Sequence, residues 1–128
     1  MEIKKVNHVQ LPECLEVIHK SFATVAEEFA LTIENCPKHT SFIPLYFLET
    51  QMEWGWNMFG LFEDAQIIGY MSISKEDDNI YELHNLAVIP EHRHKGYGSI
   101  MIEHAKNVVK TLGGSKIKIG IIDESVIL

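Results

Sequence analysis

The chain has 128 residues, 46% of them hydrophobic and 23% charged, a globular balance that excludes disorder and suffices for one domain with its own core. Its formal net charge of -7, from 18 acidic and 11 basic residues, argues against a nucleic-acid partner, which needs a Lys/Arg surface, and suits a cationic or neutral small substrate. Cys14 and Cys36 form no CxxC pair, no apolar run nears the ~20 residues of a membrane span, and no leader-like segment follows Met1, so the expectation is a cytoplasmic protein without disulfide framework, metal site or membrane partner.

Residues 3–6 make a short first strand. From Pro12 the pattern becomes helical, with Leu15, Ile18, Phe22 and Val25 at spacings of three and four. Pro12 suits a first turn, where its missing N–H costs nothing. Asn35-Cys36-Pro37 breaks the run, and residues 40–53 form a second helix anchored by Ile43, Phe47 and Met52. Residues 58–63 and 67–74 are two strands of a hairpin around Asp64-Ala65-Gln66. A turn at residues 76–79 leads to a third strand, residues 80–88, completing a meander. Pro90 ends that strand, and residues 91–98 are polar with two glycines.

Residues 99–112 are an amphipathic helix, with Met101, Ala105, Val108 and Leu112 on one face. Gly113-Gly114 stops it. Residues 116–122 alternate Ile117, Ile119 and Ile121 with Lys118 and Gly120, as in a strand. Strand, helix and strand in this order form a βαβ unit with parallel strands. The predicted order is β-α-α-β-β-β-α-β, an α/β mixed sheet flanked by helices in one domain, residues 1–128.

The stretch that carries chemistry is the loop between the third strand and the third helix. A helix N-terminus leaves backbone N–H groups without partners and attracts anions. Gly96 and Gly98 allow a phosphate to approach the backbone, and Arg93 and Lys95 add positive charge. The same composition also suits a plain strand-to-helix turn. It is neither GxGxxG, because Met101 occupies the third glycine position, nor a P-loop. His92 and His94 flank Arg93 without further ligands nearby in sequence, so no metal is expected.

Arg93-His94-Lys95-Gly96-Tyr97-Gly98 resembles the R/Q-x-x-G-x-G/A signature of the GNAT superfamily of acetyl-CoA-dependent N-acetyltransferases. The approach through Leu86-Ala87-Val88-Ile89-Pro90 and the helix that follows are similar to the family as well. The resemblance implies a GNAT-like fold and acetyl-CoA as co-substrate. It implies that the backbone of His94 to Ser99 holds the pyrophosphate, and that the pantetheine arm runs along Leu86, Ala87 and Val88. It implies an acyltransferase acting on a small-molecule amine. A module that binds acyl-CoA with little turnover, or a peptide N-acetyltransferase, are the alternatives.

Glu82 and His84 are the candidate bases. They stand two apart on a strand, so they share a face, which Leu86 and Val88 are expected to continue. Some members of the family carry a glutamate at the position of Glu82, and others a His-x-His pair whose second histidine falls at His84. The two side chains would equally suit a simple pair on a solvated face. Phe42, Tyr46, Phe47, Trp54, Trp56 and Phe59 either line a pocket or fill the core. The resemblance puts the acceptor pocket near Phe29 and residues 40–56. Members of the family usually continue with a further helix and two strands. Residues 121–128 look like the start of that helix, so the chain reads as C-terminally short. An exposed edge on the last strand is then expected to drive self-association as a homodimer.

Overall fold

The computed structural model describes residues 1–28, 43–92, 95–119 and 124–127. β1 (Glu2–Lys5) leads through a 3-10 turn at His8–Gln10 into α1 (Leu11–Glu28). Asn7 and Gln10 cap that turn reciprocally, each side chain bonding the other's backbone N–H at 3.2 and 2.9 Å. Then follow α2 (Leu45–Glu53), β2 (Asn57–Glu63), β3 (Gln66–Asp77), β4 (Ile80–Val88), a 3-10 turn at Pro90–His92, α3 (Tyr97–Thr111), β5 (Lys116–Ile119) and β6 (Glu124–Ile127).

The six strands form one sheet in chain order. Every neighbouring pair is antiparallel except β4 and β5, which are parallel and joined by α3. The helices lie on both faces. A Cβ on Gly69 would sit 3.1 Å from the Met101 sulfur of α3, whereas its neighbour Tyr70 faces Cys14 of α1. Successive strand residues point to opposite faces, so α1 and α3 cover opposite sides. The core between them includes Leu11, Ile18, Leu48, Leu61, Tyr70, Ile73, Leu83, Met101 and Ile117, each at most 2% exposed. Among the described residues, no helix is long and apolar enough to cross a membrane.

Several boundaries differ from expectation. The second helix begins at Leu45, not residue 40, because Pro44 stands at its N-cap and the residue before a proline avoids the helical region. Its buried anchor is then Leu48, while Phe47 turns outward and is 40% exposed. α3 starts at Tyr97 and buries Met101, Ala105 and Val109, leaving Leu112 exposed. The expected four-residue turn at 76–79 shortens to Asp78-Asn79, because β3 runs on to Asp77. Asp64 and Ala65 alone turn the β2–β3 hairpin, both with positive φ, 50° and 67°, the geometry of a type I′ turn.

The C-terminal residues are the largest correction. Glu124–Ile127 is a strand, not the entry to a helix, and it pairs antiparallel with β5 through Ile117↔Val126 and Lys118↔Ser125. Val126 and Ile127 are β-branched, which suits a pleated strand better than a helix. β5 is therefore covered on both sides over Lys116–Ile119, where an exposed edge was expected to drive self-association; residues 120–122 of the expected strand lie outside the described residues. Phe29, Phe42 and the break at 35–37 lie outside the described residues.

Candidate active site

β4 is an interrupted strand, and the interruption shapes the site. His84 pairs with Ser72 and Ala87 with Tyr70. One residue separates the partners on β3, and two, Asn85 and Leu86, separate them on β4. The extra residue is a β-bulge, with Asn85 in the left-handed region at φ 53°, a conformation that asparagine tolerates better than most side chains.

The bulge changes which residues share a face. Ser74 lies opposite Glu82, Ser72 opposite His84 and Tyr70 opposite Ala87. Directly opposed residues share a face, and so do alternate residues of β3. Ala87 therefore continues the Glu82–His84 face. Val88 lies opposite Gly69 on the other face, and Leu86 is part of the bulge itself. The expectation that Leu86 and Val88 continue the face of Glu82 and His84 fails, because one inserted residue reverses the alternation.

The structure brings Glu82 and His84 together. His84 Nε2 lies 3.2 Å from Glu82 Oε2 and 2.7 Å from Ser74 Oγ. The Trp56 ring stacks on the imidazole, centroids 4.5 Å apart and planes 17° from parallel. Glu82 and His84 are about three-quarters buried, with side chains 25% and 22% exposed. Burial pushes the His84 pKa below its ordinary value, and the nearby Glu82 and Glu76 carboxylates oppose that only in part. The ring is thus neutral near pH 7 and able to accept a proton. Glu76 is paired with Lys118 at 2.8 Å, and that hydrogen bond holds its carboxyl below the usual range.

Beyond this cluster the sheet opens. The pairing of β4 with β5 spans only Ile80↔Lys116 to Leu83↔Ile119. From His84 to Val88, β4 has no partner among the described residues on its β5 side. The chain then passes through Pro90–His92 to α3. Gly96 is the N-cap of α3 with φ 79°, a left-handed conformation that favours glycine. Among the described residues no side chain caps this terminus, and no acidic residue occupies its first turn. The first hydrogen bond back to the cap comes from the Ile100 N–H to the Gly96 carbonyl, 3.2 Å. The N–H groups of Tyr97, Gly98 and Ser99 precede it and have no carbonyl within the helix. A Cβ added at Gly96 or Gly98 would meet nothing within 4 Å, so the space over this terminus is open among the described residues.

Tyr97 fixes the terminus to the sheet: its hydroxyl donates to Glu63 Oε2 at 3.0 Å, and its ring lies 6.3 Å from that of His92. Lys95 is exposed. Arg93 and His94 lie outside the described residues. Ser74, Trp56 and Glu63 were not singled out from sequence for these contacts. In sequence Trp56 is one aromatic among several, and nothing near Ser74 or Glu63 marks either.

Comparison with known proteins agrees with this architecture. The model of the acetyltransferase (GNAT) family matches residues 24–125. A GNAT family acetyltransferase from Brucella melitensis, solved in complex with acetyl-CoA, superposes with a TM-score of 0.73 at 16% identity, over 92% of this chain and 73% of that one. The PaiA N-acetyltransferase from Thermoplasma acidophilum, in complex with coenzyme A, gives 0.71 at 22% identity, over 92% and 77%. An acetyltransferase of the GNAT family from Staphylococcus aureus Mu50 gives 0.70 at 20% identity, over 95% and 74%. At these identities the likeness is one of fold.

Proposed function

Since the chain belongs to the acetyltransferase (GNAT) family, we propose that it moves an acetyl group from acetyl-CoA to the primary amine of a small molecule by direct attack. The observation that carries this reading is the β4 edge from His84 to Val88, without a β5-side partner among the described residues, which leads to the N-terminus of α3, where Gly96 supplies no side-chain cap. The residues present fit the coenzyme. Its pyrophosphate needs donors and room, and Tyr97, Gly98 and Ser99 offer N–H groups beneath open space. Lys95, with Arg93 and His94 beside it in sequence, adds charge. The backbone of Leu86, Ala87 and Val88, without a β5-side partner among the described residues, offers a strand edge for an amide-bearing arm. The coenzyme, when bound, supplies a thioester whose acetyl carbon accepts the amine.

The chain's own residues prepare that amine. An ammonium has no lone pair, so a proton must leave first. The Glu82–His84 pair takes it and passes it to solvent. Ser74 and Trp56 hold the imidazole through a 2.7 Å hydrogen bond and a stacked face, which fixes the direction in which it accepts. The amine nitrogen forms the C–N bond, the C–S bond breaks, and the electron pair leaves on sulfur. The nitrogen's second proton accompanies the thiolate as free coenzyme thiol. Ammonium and acetyl-CoA thus yield amide, thiol and one proton.

Thiol release from acetyl-CoA over a panel of primary amines tests the reading, with mass spectrometry of the product. Amine-dependent release with an equal yield of N-acetyl product is expected. Thiol release indifferent to the amine, or none with any amine, would refute it.

A further inference from the structure

The transfer chemistry leaves the acceptor undefined, and α2 bears on it. Tyr46, Phe47 and Trp54 are 62, 40 and 68% exposed. Scattered exposed apolar residues need no explanation, but contiguous ones do. Here Tyr46, Phe47, Thr50, Gln51 and Trp54 line one cavity of about 320 Å³. None of these five side chains is charged. Tyr46 and Phe47 meet edge to face at 5.0 Å.

The aromatic surface does not end at the cavity. Trp54 lies 5.9 Å from Trp56, ring to ring, and Trp56 stacks on His84 at 4.5 Å. Gly55 stands between the two tryptophans with φ 82°, and the Trp56 N–H bonds back to the Gln51 carbonyl at 3.1 Å. This tight turn sets both indoles along one path. The path runs from an uncharged aromatic cavity to Glu82 Oε2, 3.2 Å from His84 Nε2.

A ligand matching this path has a flat apolar body at one end and a positive charge at the other. Aromatic walls favour rings, and a cation beside an indole face is attracted by its quadrupole. The cationic end would meet Glu82, in a chain of net charge -7. Gln51 Oε1, buried and without a hydrogen-bond partner among the described residues, leaves an acceptor near the cavity for a donor on the ligand. A linear polyamine would need carboxylates along its length, and the described lining of this cavity has none. We infer that the acceptor is a primary arylalkylamine, its ring in the α2 cavity against Trp54 and its nitrogen at Glu82. The inference rests on the acetyl-transfer reading for its chemistry, whereas binding of the amine can be measured without it.

Trp54 and Trp56 are the chain's two tryptophans, so intrinsic fluorescence reports from the path itself. Titration with 2-phenylethylamine should give a saturable change. 2-Phenylethanol, which lacks the charge, and spermidine, which lacks the ring, should each bind about tenfold more weakly or worse. Trp54→Leu replaces an exposed side chain, so the fold should persist, as a circular-dichroism melt would verify. It should weaken 2-phenylethylamine about tenfold, read through Trp56. Equal binding of the three ligands, or unchanged binding in Trp54→Leu, would overturn the inference. Two outcomes separate it from the reading beneath it. Thiol release with spermidine or a lysine peptide, but not with 2-phenylethylamine, sinks the acceptor class and leaves acetyl transfer standing. Selective amine binding without thiol release from any amine supports the site and sinks the transfer.

Discussion

Gly98→Glu should move two measurements in opposite directions. Gly98 is the second residue of α3, has no positive φ, and has nothing within 4 Å of where its Cβ would lie. A side chain can therefore enter without a clash. Replacing a helical glycine recovers about 0.5–1 kcal/mol of backbone entropy, with the lower end expected so near a terminus. A carboxylate in a first turn that has no acidic residue adds about 0.3–1 kcal/mol against the helix dipole. The ligand-free variant should thus be more stable by about 1–2 kcal/mol, or roughly 3–10 °C for a domain of this size. The same carboxylate occupies the space and the N–H groups assigned to the pyrophosphate. Acetyl-CoA at 100 times its Kd should stabilise the parent by about 2.7 kcal/mol and the variant scarcely at all. Differential scanning fluorimetry with and without acetyl-CoA measures both effects, and Gly98→Gln separates bulk from charge. A variant that melts below the parent, or that keeps the parent's full response to acetyl-CoA, would refute this account of the terminus.

Three further expectations follow from the same geometry. Glu82→Gln should lower kcat for acetyl transfer by about 10²–10⁴ while leaving the thermal response to acetyl-CoA intact. Because burial depresses the folded-state pKa of His84, the unfolded chain binds that proton more readily. Stability should therefore fall as pH drops below about 6.5, and His84→Gln should flatten this part of a urea-unfolding pH series. The acid limb of kcat/KM should likewise lie below about 6.5, where the buried His84 takes up its proton. Ala65→Gly should stabilise the fold by about 0.5–1 kcal/mol in urea unfolding. It removes a left-handed alanine (φ 67°) worth about 1–2 kcal/mol and gives back about 0.4–1 kcal/mol through a freer unfolded chain.

Much of the fold was legible from sequence because its signals are local. The meander is punctuated by Asp64-Ala65-Gln66 and by the polar residues 76–79, and the βαβ unit by Pro90 and Gly113-Gly114. Ile80–Val88 came out residue for residue. The pairing of Glu82 with His84 was legible too, since two residues apart on a strand means one face. The contact with Ser74 was not. Counting back from a two-residue turn at Asp78-Asn79 opposes Lys75 to Glu82, and puts Ser74 opposite Leu83 on the wrong face. The irregularity between Lys75 and Asp77 shifts the register so that Ser74 opposes Glu82 instead. The bulge at Asn85 escaped for the same reason, because a single residue in the left-handed region leaves little trace in a hydrophobicity pattern. Trp56 reaches His84 across the sheet from a turn after α2, a contact that only tertiary structure reveals.

The short parallel pairing of β4 with β5 also bears on how the molecule assembles and comes apart. The β2–β3–β4 meander and the β5–β6 pair are each local, whereas Ile80↔Lys116 to Leu83↔Ile119 are contacts between residues far apart in sequence. Such contacts form late, after the loop closure they require. Four register pairs and α3 thus make a seam between two folding units, and a seam of that length is a natural place for partial opening. A molecule lying along the unpaired part of β4 and held at the start of α3 would bridge the seam. It would act on the folded chain as a removable staple, with the C-terminal strands gaining more protection than the meander.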